Sequence, residues 1–388
     1  MIQITDKAKC CGCTACVNAC PAQCIVMRRD REEGFDYPVA NPDRCIGCGK
    51  CEAVCPVQNP SEAREPEAAY AVRCNKYVDA SSSGGVFMAL AKAVIDEGGV
   101  VFGAVMEKDL IVGHAEAETM EEVQRMRGSK YVQSDPYSSF WDAKEYLKAG
   151  RKVLFTGTPC QIAGLKRYIG GDHEGLLTVD TACHGVPGPG LWEMYVNALQ
   201  ARTKKNIPSV NFRDKSRGWR HYGFTCMGEN GEKVISVKAT DDPYMALFMQ
   251  DMTLRPSCYS CPARGGRSGS DLTLADLWSV ADAASALDDD RGVSGVLVNT
   301  PKGKEYMSKV RPETILQVPV AAVKAENGGF ADSLPMPEKR EEFFKGLGVA
   351  KVDVYGHMKS YVVRKPFIVR IYRTLRSALS KLKRRIVR

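Results

Sequence analysis

Cys10, Cys13, Cys16 and Cys20, the last followed by Pro21, read C-x2-C-x2-C-x3-C-P, and Cys45, Cys48, Cys51 and Cys55 with Pro56 repeat the run without deviation. Few sequence features leave a chain so little freedom. Three thiols two residues apart sit on one tight loop that wraps a cubane and aims backbone N–H groups at its sulfides, the spacing of a 4Fe–4S ligand run. The fourth Cys of such a run ligates the other cluster, so Cys55 is expected to complete the set Cys10, Cys13, Cys16, and Cys20 the set Cys45, Cys48, Cys51. The Pro ends each run without wasting a backbone donor. A pair of zinc sites is the competing reading, but zinc loops usually separate their ligands by longer spacers. Cys11 and Cys24 fall outside both sets and read as free thiols beside the clusters.

Residues 1–58 therefore form a compact two-cluster unit with the spacing of bacterial ferredoxins, and Ile25–Ala40 reads as a hairpin inserted between its halves. The polar, proline-flanked stretch 59–67 reads as a linker. Ten of the sixteen Cys precede residue 56. Clustered thiols of this kind point to metal ligation in a reducing compartment rather than to disulfides. The first ten residues hold two Lys, an Asp and a Cys, without the apolar core of a leader. No apolar run approaches the roughly 20 residues of a membrane-spanning helix. The expectation is a cytoplasmic protein. Its net charge of +8 is confined to one end, because residues 364–388 carry ten Lys or Arg and no acid. The body is close to neutral, which argues against nucleic acid as a partner.

From residue 68 onward helix and strand signals alternate. Val86–Ile95 reads as a helix stopped by Gly98-Gly99, Val100–Met106 and Leu110–Ala117 as strands, Thr119–Met126 as a short helix and Pro136–Ala149 as a longer one. Lys152–Thr156 is a strand that runs through Gly157-Thr158-Pro159-Cys160 into a helix ending at Tyr168. Leu176–Thr181 is a strand ending in Ala182-Cys183-His184-Gly185, and Leu191–Arg202 a helix. Val210–Phe212, Tyr222–Met227 and Lys233–Val237 alternate like antiparallel strands, and Leu272–Ala275 and Val293–Asn299 supply two more. The pattern gives a mixed α/β (α+β) fold class: a ferredoxin-like unit followed by a larger mixed α/β domain. Its parts are expected at 68–150 and 151–350, with a basic tail at 364–388.

Four dispersed thiols stand out. Cys258 and Cys261 form a C-x2-C pair, Cys160 opens a helix and Cys183 follows a strand. Strand ends on one side of a parallel sheet lie together, so these four can converge as ligands of a third cluster; buried thiols or a zinc pair are the alternative. Ser81-Ser82-Ser83-Gly84-Gly85 precedes the helix from Val86 and suits an anion at the helix start, the serines supplying hydroxyls and an N-cap. A plainly capped helix accounts for it equally. Arg127–Tyr131 and Asn211–Lys215 are short basic segments with adjacent aromatics, fit for a phosphate or for solvent.

The ordered series SSSGGVFMALAKAVIDEGGVVFGAV, RGSKYVQSD, KVLFTGTPCQIAGLK, TACHGVPGPGLW, NFRDKSRGW, LRPSCYSCPA and LTLADLW resembles the beta-subunit family of the coenzyme F-420 (deazaflavin) hydrogenases and dehydrogenases over roughly residues 68–300. With the unit at 1–58 the chain is similar to a form of that family fused to a two-cluster ferredoxin domain. The resemblance implies an iron–sulfur flavoprotein whose larger domain binds FAD. It implies FAD contacts from Ser82, Ser83, Gly84, Gly85, Gly128, Ser129, Lys130 and Tyr131, with Gly157, Thr158 and Pro159 near the isoalloxazine ring. It also implies that Cys160, Cys183, Cys258 and Cys261 hold the cluster nearest the flavin.

On that footing the expected function is an oxidoreductase. Electrons pass through the ferredoxin-type clusters and the third cluster to FAD, and hydride moves to or from an organic substrate such as a deazaflavin. Lys130 or Arg213 is the expected cation beside the reduced flavin, and His184 the expected proton donor. The alternative is an electron-transfer subunit without its own substrate, docked to a larger oxidoreductase. Partners are then a redox protein or reduced ferredoxin and a small hydride acceptor or donor. The tail, with apolar residues three and four apart among its Arg and Lys, reads as an amphipathic helix. It is suited to an anionic membrane surface at the inner face, or to packing on the body.

Overall fold

The computed structural model describes residues 1–310, 312–325, 327 and 330–363; the basic tail lies outside the described residues. The mixed α/β expectation holds. Thirteen strands form three sheets among the described residues. A hairpin pairs β1 (Ile25–Arg29) with β2 (Asp36–Ala40), antiparallel, Ile25 opposite Ala40. A three-stranded antiparallel sheet has the order β10-β9-β8, where β8 is Ser209–Asp214, β9 Gly223–Met227 and β10 Lys233–Lys238. The remaining eight strands build one sheet of order β13-β3-β12-β11-β7-β6-β4-β5. Here β3 is Ala68–Arg73, β4 Val100–Met106, β5 Val112–Ala117, β6 Val153–Gly157, β7 Leu176–Thr181, β11 Leu272–Asp276, β12 Ser294–Val298 and β13 Thr314–Gln317.

At the centre, β4, β6, β7 and β11 run parallel, and the flanking strands are antiparallel. Residues on both sides of 150 share this sheet, since β3 is held between β12 and β13. Strand alternation divides the core into two layers. Val101, Val105, Leu154, Leu177 and Val179 face the helix Val86–Asp96, which buries Val86, Leu90, Ala91 and Val94 at helical spacing. Phe102, Val153, Phe155 and Leu176 face the helices Ser139–Lys148 and Pro159–Ile169. Cys11, Cys13 and Ala15 belong to this second layer, so the ferredoxin-like unit is packed into the core of the larger domain. The three-stranded sheet and the helices Pro189–Thr203, Pro243–Met249, Arg340–Leu347 and Val354–Tyr361 enclose a further core rich in aromatics, among them Trp192, Tyr195, Phe212, Phe224 and Tyr244.

Two element starts differ from expectation for local reasons. The strand expected from Leu110 begins at Val112, because Asp109 and Leu110 adopt left-handed φ of 61° and the Leu110 carbonyl accepts the indole N–H of Trp192 at 2.9 Å. The helix expected from Pro136 begins at Ser139, because the Asp135 carboxylate accepts the N–H of Tyr137 and turns the chain first.

Candidate functional site

The duplicated motif folds with internal symmetry. The short helices Ala15–Asn18 and Lys50–Ala53 each follow a left-handed residue, Thr14 at φ 61° and Gly49 at φ 70°. The loop glycines Gly12 and Gly47 match at φ 68° and 69°. One cavity is lined by Cys10, Cys13, Cys16 and Cys55, a second by Cys20, Cys45, Cys48 and Cys51, with Cys11 beside the first and Cys24 beside the second. Their surroundings are unequal. All four thiols of the first set are buried, whereas Cys48 and the neighbouring Ile46 of the second are exposed. A Cβ on Gly47 or Gly49 would meet nothing within 4 Å, but one on Gly12 would lie 2.6 Å from Gln133 Nε2. The first set faces the body and the second faces outward.

The four dispersed thiols are brought together by sheet topology. β6 and β7 are adjacent and parallel, so the residues that follow them, Cys160 and Cys183, lie side by side. The segment carrying Cys258 and Cys261 is drawn in by a bridge between Pro187 and Leu254 and by the Arg255 N–H donating to the Val186 carbonyl at 3.0 Å. Cys183 has Cys258, Cys160 and Cys261 as its thiol neighbours. Burial pushes the Cys258 thiol up to about 12. Buried thiols crowded in this way are poor anions by themselves, and a bound metal or cluster would deprotonate them outright. Four thiols are a donor set of the soft kind that iron–sulfur clusters take. Cys11 interacts with Cys13 on one side and Cys160 on the other, so a free thiol stands between the two ligand sets.

Beside Cys183 opens a cleft of about 540 Å³ at the carboxyl ends of the parallel strands, the usual ligand position in such sheets. Two of the sequence motifs meet there: Ser82 Oγ accepts the N–H of Ser129 at 2.7 Å and lies 3.0 Å from its hydroxyl. Ser82, Ser83, Gly85, Gly128, Ser129, Lys130, Tyr131, Gly157, Thr158, His184 and Arg213 line the cleft, whereas Gly84 and Pro159 stand behind the wall. The expected serine N-cap is absent: Gly85, at φ 88°, caps the helix Val86–Asp96 without a side-chain bond, leaving its first N–H groups open. Gly84 serves packing, since a Cβ there would lie 2.3 Å from the Val72 carbonyl oxygen.

The charged candidates differ in what they have to spare. Lys130 Nζ donates to the carbonyls of Ala104, Met126 and Arg127 at 2.9–3.0 Å, with all its protons engaged, and burial pushes it down to about 7. Arg213 gives Nη1 to Asp276 at 2.5 Å and lies over the rings of Tyr222 and Trp278, while its buried Nε and Nη2 have no partner. His184 Nε2 is 2.6 Å from Asp251 Oδ1 and edge-on to Phe248. His114 was not anticipated. Its Nε2 faces the Thr156 carbonyl at 3.0 Å, its ring stacks on Phe155, and its buried Nδ1 is unpartnered in the cleft wall. Burial pushes it down to about 4, so it is neutral there. Only its place in an apolar strand, opposite Ala104, could have drawn attention to it. Orphaned donors on Arg213 and Arg127, an open helix start and a neutral acceptor on His114 suit a polar, anionic cofactor such as a flavin dinucleotide.

A second cavity, about 450 Å³, adjoins the cleft and shares Ser82, Arg127, Ser129 and Arg213 with it, adding Lys215 and Arg291. Among the described residues no helix is long and apolar enough to cross a membrane.

Comparison with known proteins finds matches to two parts of the chain. Residues 150–322 match the model for the C terminus of the coenzyme F420 hydrogenase/dehydrogenase beta subunit, and residues 9–59 that for the 4Fe-4S dicluster domain. A solved structure, a xenon derivative of the F420-reducing NiFe hydrogenase complex from Methanosarcina barkeri, is 17% identical, over 77% of this chain and 92% of that one, with a TM-score of 0.45. No curated protein matches. The chain thus carries a match to the 4Fe-4S dicluster domain at residues 9–59, the iron–sulfur part, and a match to the C-terminal domain of the coenzyme F420 hydrogenase/dehydrogenase beta subunit at residues 150–322.

Proposed function

We propose that the chain is an oxidoreductase in which electrons travel from the ferredoxin-type clusters, through a third cluster held by Cys160, Cys183, Cys258 and Cys261, to FAD in the cleft. Hydride then moves to or from an organic substrate such as a deazaflavin. The observation that carries this reading is the junction of three features: the buried Cys10 set against the body, Cys11 between Cys13 and Cys160, and Cys183 in the wall of the cleft. Bound there, a flavin would couple one-electron traffic to two-electron hydride chemistry.

The chain's own residues would then do the following. Gly85 and the first N–H groups of the helix Val86–Asp96 would receive the dinucleotide phosphates. The Ser82–Ser129 contact would hold the two loops at a fixed separation. Lys130 would tie the 125–130 segment to β4 through the carbonyls of Ala104, Arg125, Met126 and Arg127 rather than act on the flavin. The free Nε and Nη2 of Arg213 would meet the negative charge of the reduced ring, and His114 Nδ1 would accept from a ring N–H. His184, in the cleft wall beside Asp251, would carry the proton that accompanies hydride movement. The exposed loop around Ile46 and Cys48 would receive a redox protein partner.

Iron, acid-labile sulfide and flavin per chain on anaerobically purified protein test the proposal. About twelve irons and one FAD are expected. About eight irons without flavin would refute it and leave an electron-transfer subunit docked to a larger enzyme.

A further inference from the structure

Arg255 is among the largest fully buried side chains of the molecule, 1% exposed. Among the described residues its acceptors include no carboxylate. Nε donates to the Cys10 carbonyl at 2.7 Å, Nη1 to Gln133 Oε1 at 2.9 Å, and Nη2 to the Asp36 carbonyl at 3.0 Å and to Cys10 Sγ at 3.5 Å. Its face lies on Tyr37 at 4.3 Å and Phe35 at 5.3 Å. A guanidinium stays charged at any accessible pH, and an uncompensated buried charge is costly. The molecule has kept one here without a carboxylate. The nearest group able to become an anion is the thiol of Cys10, one of the four that line the first cavity.

The same residue belongs to the other side of the junction. Arg255 is the N-cap of the turn Pro256–Ser260, and its carbonyl accepts the N–H of Cys258 at 2.8 Å. Its side chain therefore touches one ligand set while its backbone shapes the loop of another. Gly12 makes room for this: a Cβ there would lie 2.8 Å from Arg255 Nη1.

We infer that Arg255 is the fixed counter-charge of the cluster held by Cys10, Cys13, Cys16 and Cys55, raising its reduction potential. It would thereby make that cluster the step at which an arriving electron settles before crossing to Cys160. A cluster in four thiolates is already anionic and gains a further negative charge on accepting one electron, with no bond made or broken. A buried cation stabilises the reduced form more than the oxidised one, and net charge and hydrogen bonds to sulfur are the established controls of cluster potential. Arg255 acts through the cluster ligands and is a positioning residue. The inference rests on the proposed ligand sets.

The test is an EPR-monitored redox titration of the full-length, anaerobically purified holoprotein, with the cluster identified as the signal that Cys16→Ser alters. In Arg255→Gln the reduced-to-oxidised ratio of that cluster at a fixed potential should fall about tenfold, a shift of 59 mV for a one-electron couple. Arg255→Lys, which keeps the charge, should stay within about threefold of the parent. Gln133→Glu leaves Arg255 in place and sets a carboxylate against Nη1, and it should move the midpoint in the same direction as Arg255→Gln. An unchanged midpoint in an iron-replete Arg255→Gln protein overturns the inference. So does loss of this cluster from both Arg255 variants, which would make the residue an assembly clamp. A parent protein with fewer than about eight irons would fail the underlying ligand assignment instead.

Discussion

The ferredoxin-like unit is locked to the body by a buried ion pair whose removal should be felt along the whole interface. Glu33, in the turn between β1 and β2, takes both guanidinium nitrogens of Arg340, at 2.8 and 2.6 Å. The two side chains are 15% and 4% exposed. Removing one partner of such a pair costs about 3–5 kcal/mol, chiefly because the other is left buried and uncompensated. Arg340 would keep its two bonds to the Leu254 carbonyl and its stacking on Phe344, so Glu33→Ala belongs at the lower end, about 3 kcal/mol. Every 1.4 kcal/mol is tenfold, so local opening should become about two orders of magnitude more frequent. Hydrogen exchange followed by mass spectrometry reads this directly. Amides of β1, β2 and the helix Arg340–Leu347 should exchange about a hundredfold faster, while those of β4, β6 and β7 keep the parental rate. Glu33→Gln, still an acceptor, should show a smaller effect, and Glu33→Leu with Arg340→Met should recover most of the loss. Less than a threefold change in Glu33→Ala would refute the argument, because the pair would then be behaving as a solvated surface bridge.

Gly164→Ala sets two effects against each other. Alanine gains about 1 kcal/mol of helix propensity, but its methyl would lie 2.9 Å from Cys13 Sγ, and overpacking costs about 1–3 kcal/mol; iron per chain should fall, and a fully loaded variant would contradict this. Phe155, fully buried and stacked on Phe102 at 5.4 Å and His114 at 5.5 Å, should cost about 3–5 kcal/mol on truncation to Ala, read as a lower urea midpoint at unchanged slope. Burial holds Lys130 near 7 against an ordinary 10.5, so between those values the folded chain binds fewer protons than the unfolded one and stability rises with pH. The parent's urea midpoint relative to that of Lys130→Met should therefore climb from pH 7 to 10, and a flat difference would refute the assignment.

The sequence was most legible where chemistry fixes spacing or where a whole strand is apolar. The two cysteine runs, the hairpin at Ile25–Ala40 and the strands Val100–Met106 and Leu176–Thr181 were all readable, the strands to the residue. Legibility failed where a distant partner decides. β3 (Ala68–Arg73) is a short stretch whose state depends on β12 and β13, more than 200 residues away, and no local pattern carries that. The SSSGG turn reads as an anion cradle with a serine cap, but its serines are engaged elsewhere: Ser81 donates to the Tyr77 carbonyl, Ser83 donates to the Val293 carbonyl, and Ser82 Oγ accepts from Ser129. Arg255 stood in plain view three residues before Cys258. What makes it notable is the lack of a carboxylate around it, and that is a property of packing.

The internal symmetry of the cysteine runs says nothing about direction; its environment does. Left-handed residues, short helices and loop glycines are duplicated almost degree for degree in the two halves. A free ferredoxin could present either cavity to a partner. In this chain Gly12 meets Gln133 and Arg255, and Cys13 packs on Gly164, whereas Gly47 and Gly49 meet nothing. Burial lowers the local dielectric and strengthens every charge interaction at the inner set, while the outer set keeps contact with water and remains open to a docking protein. If the two sets hold clusters, the same ligand chemistry is split into two electron stations by what packs against it: an outer one that can exchange electrons with a partner, and an inner one biased by Arg255. Exchanging the burial of the two halves would reverse the relay without altering a single ligand.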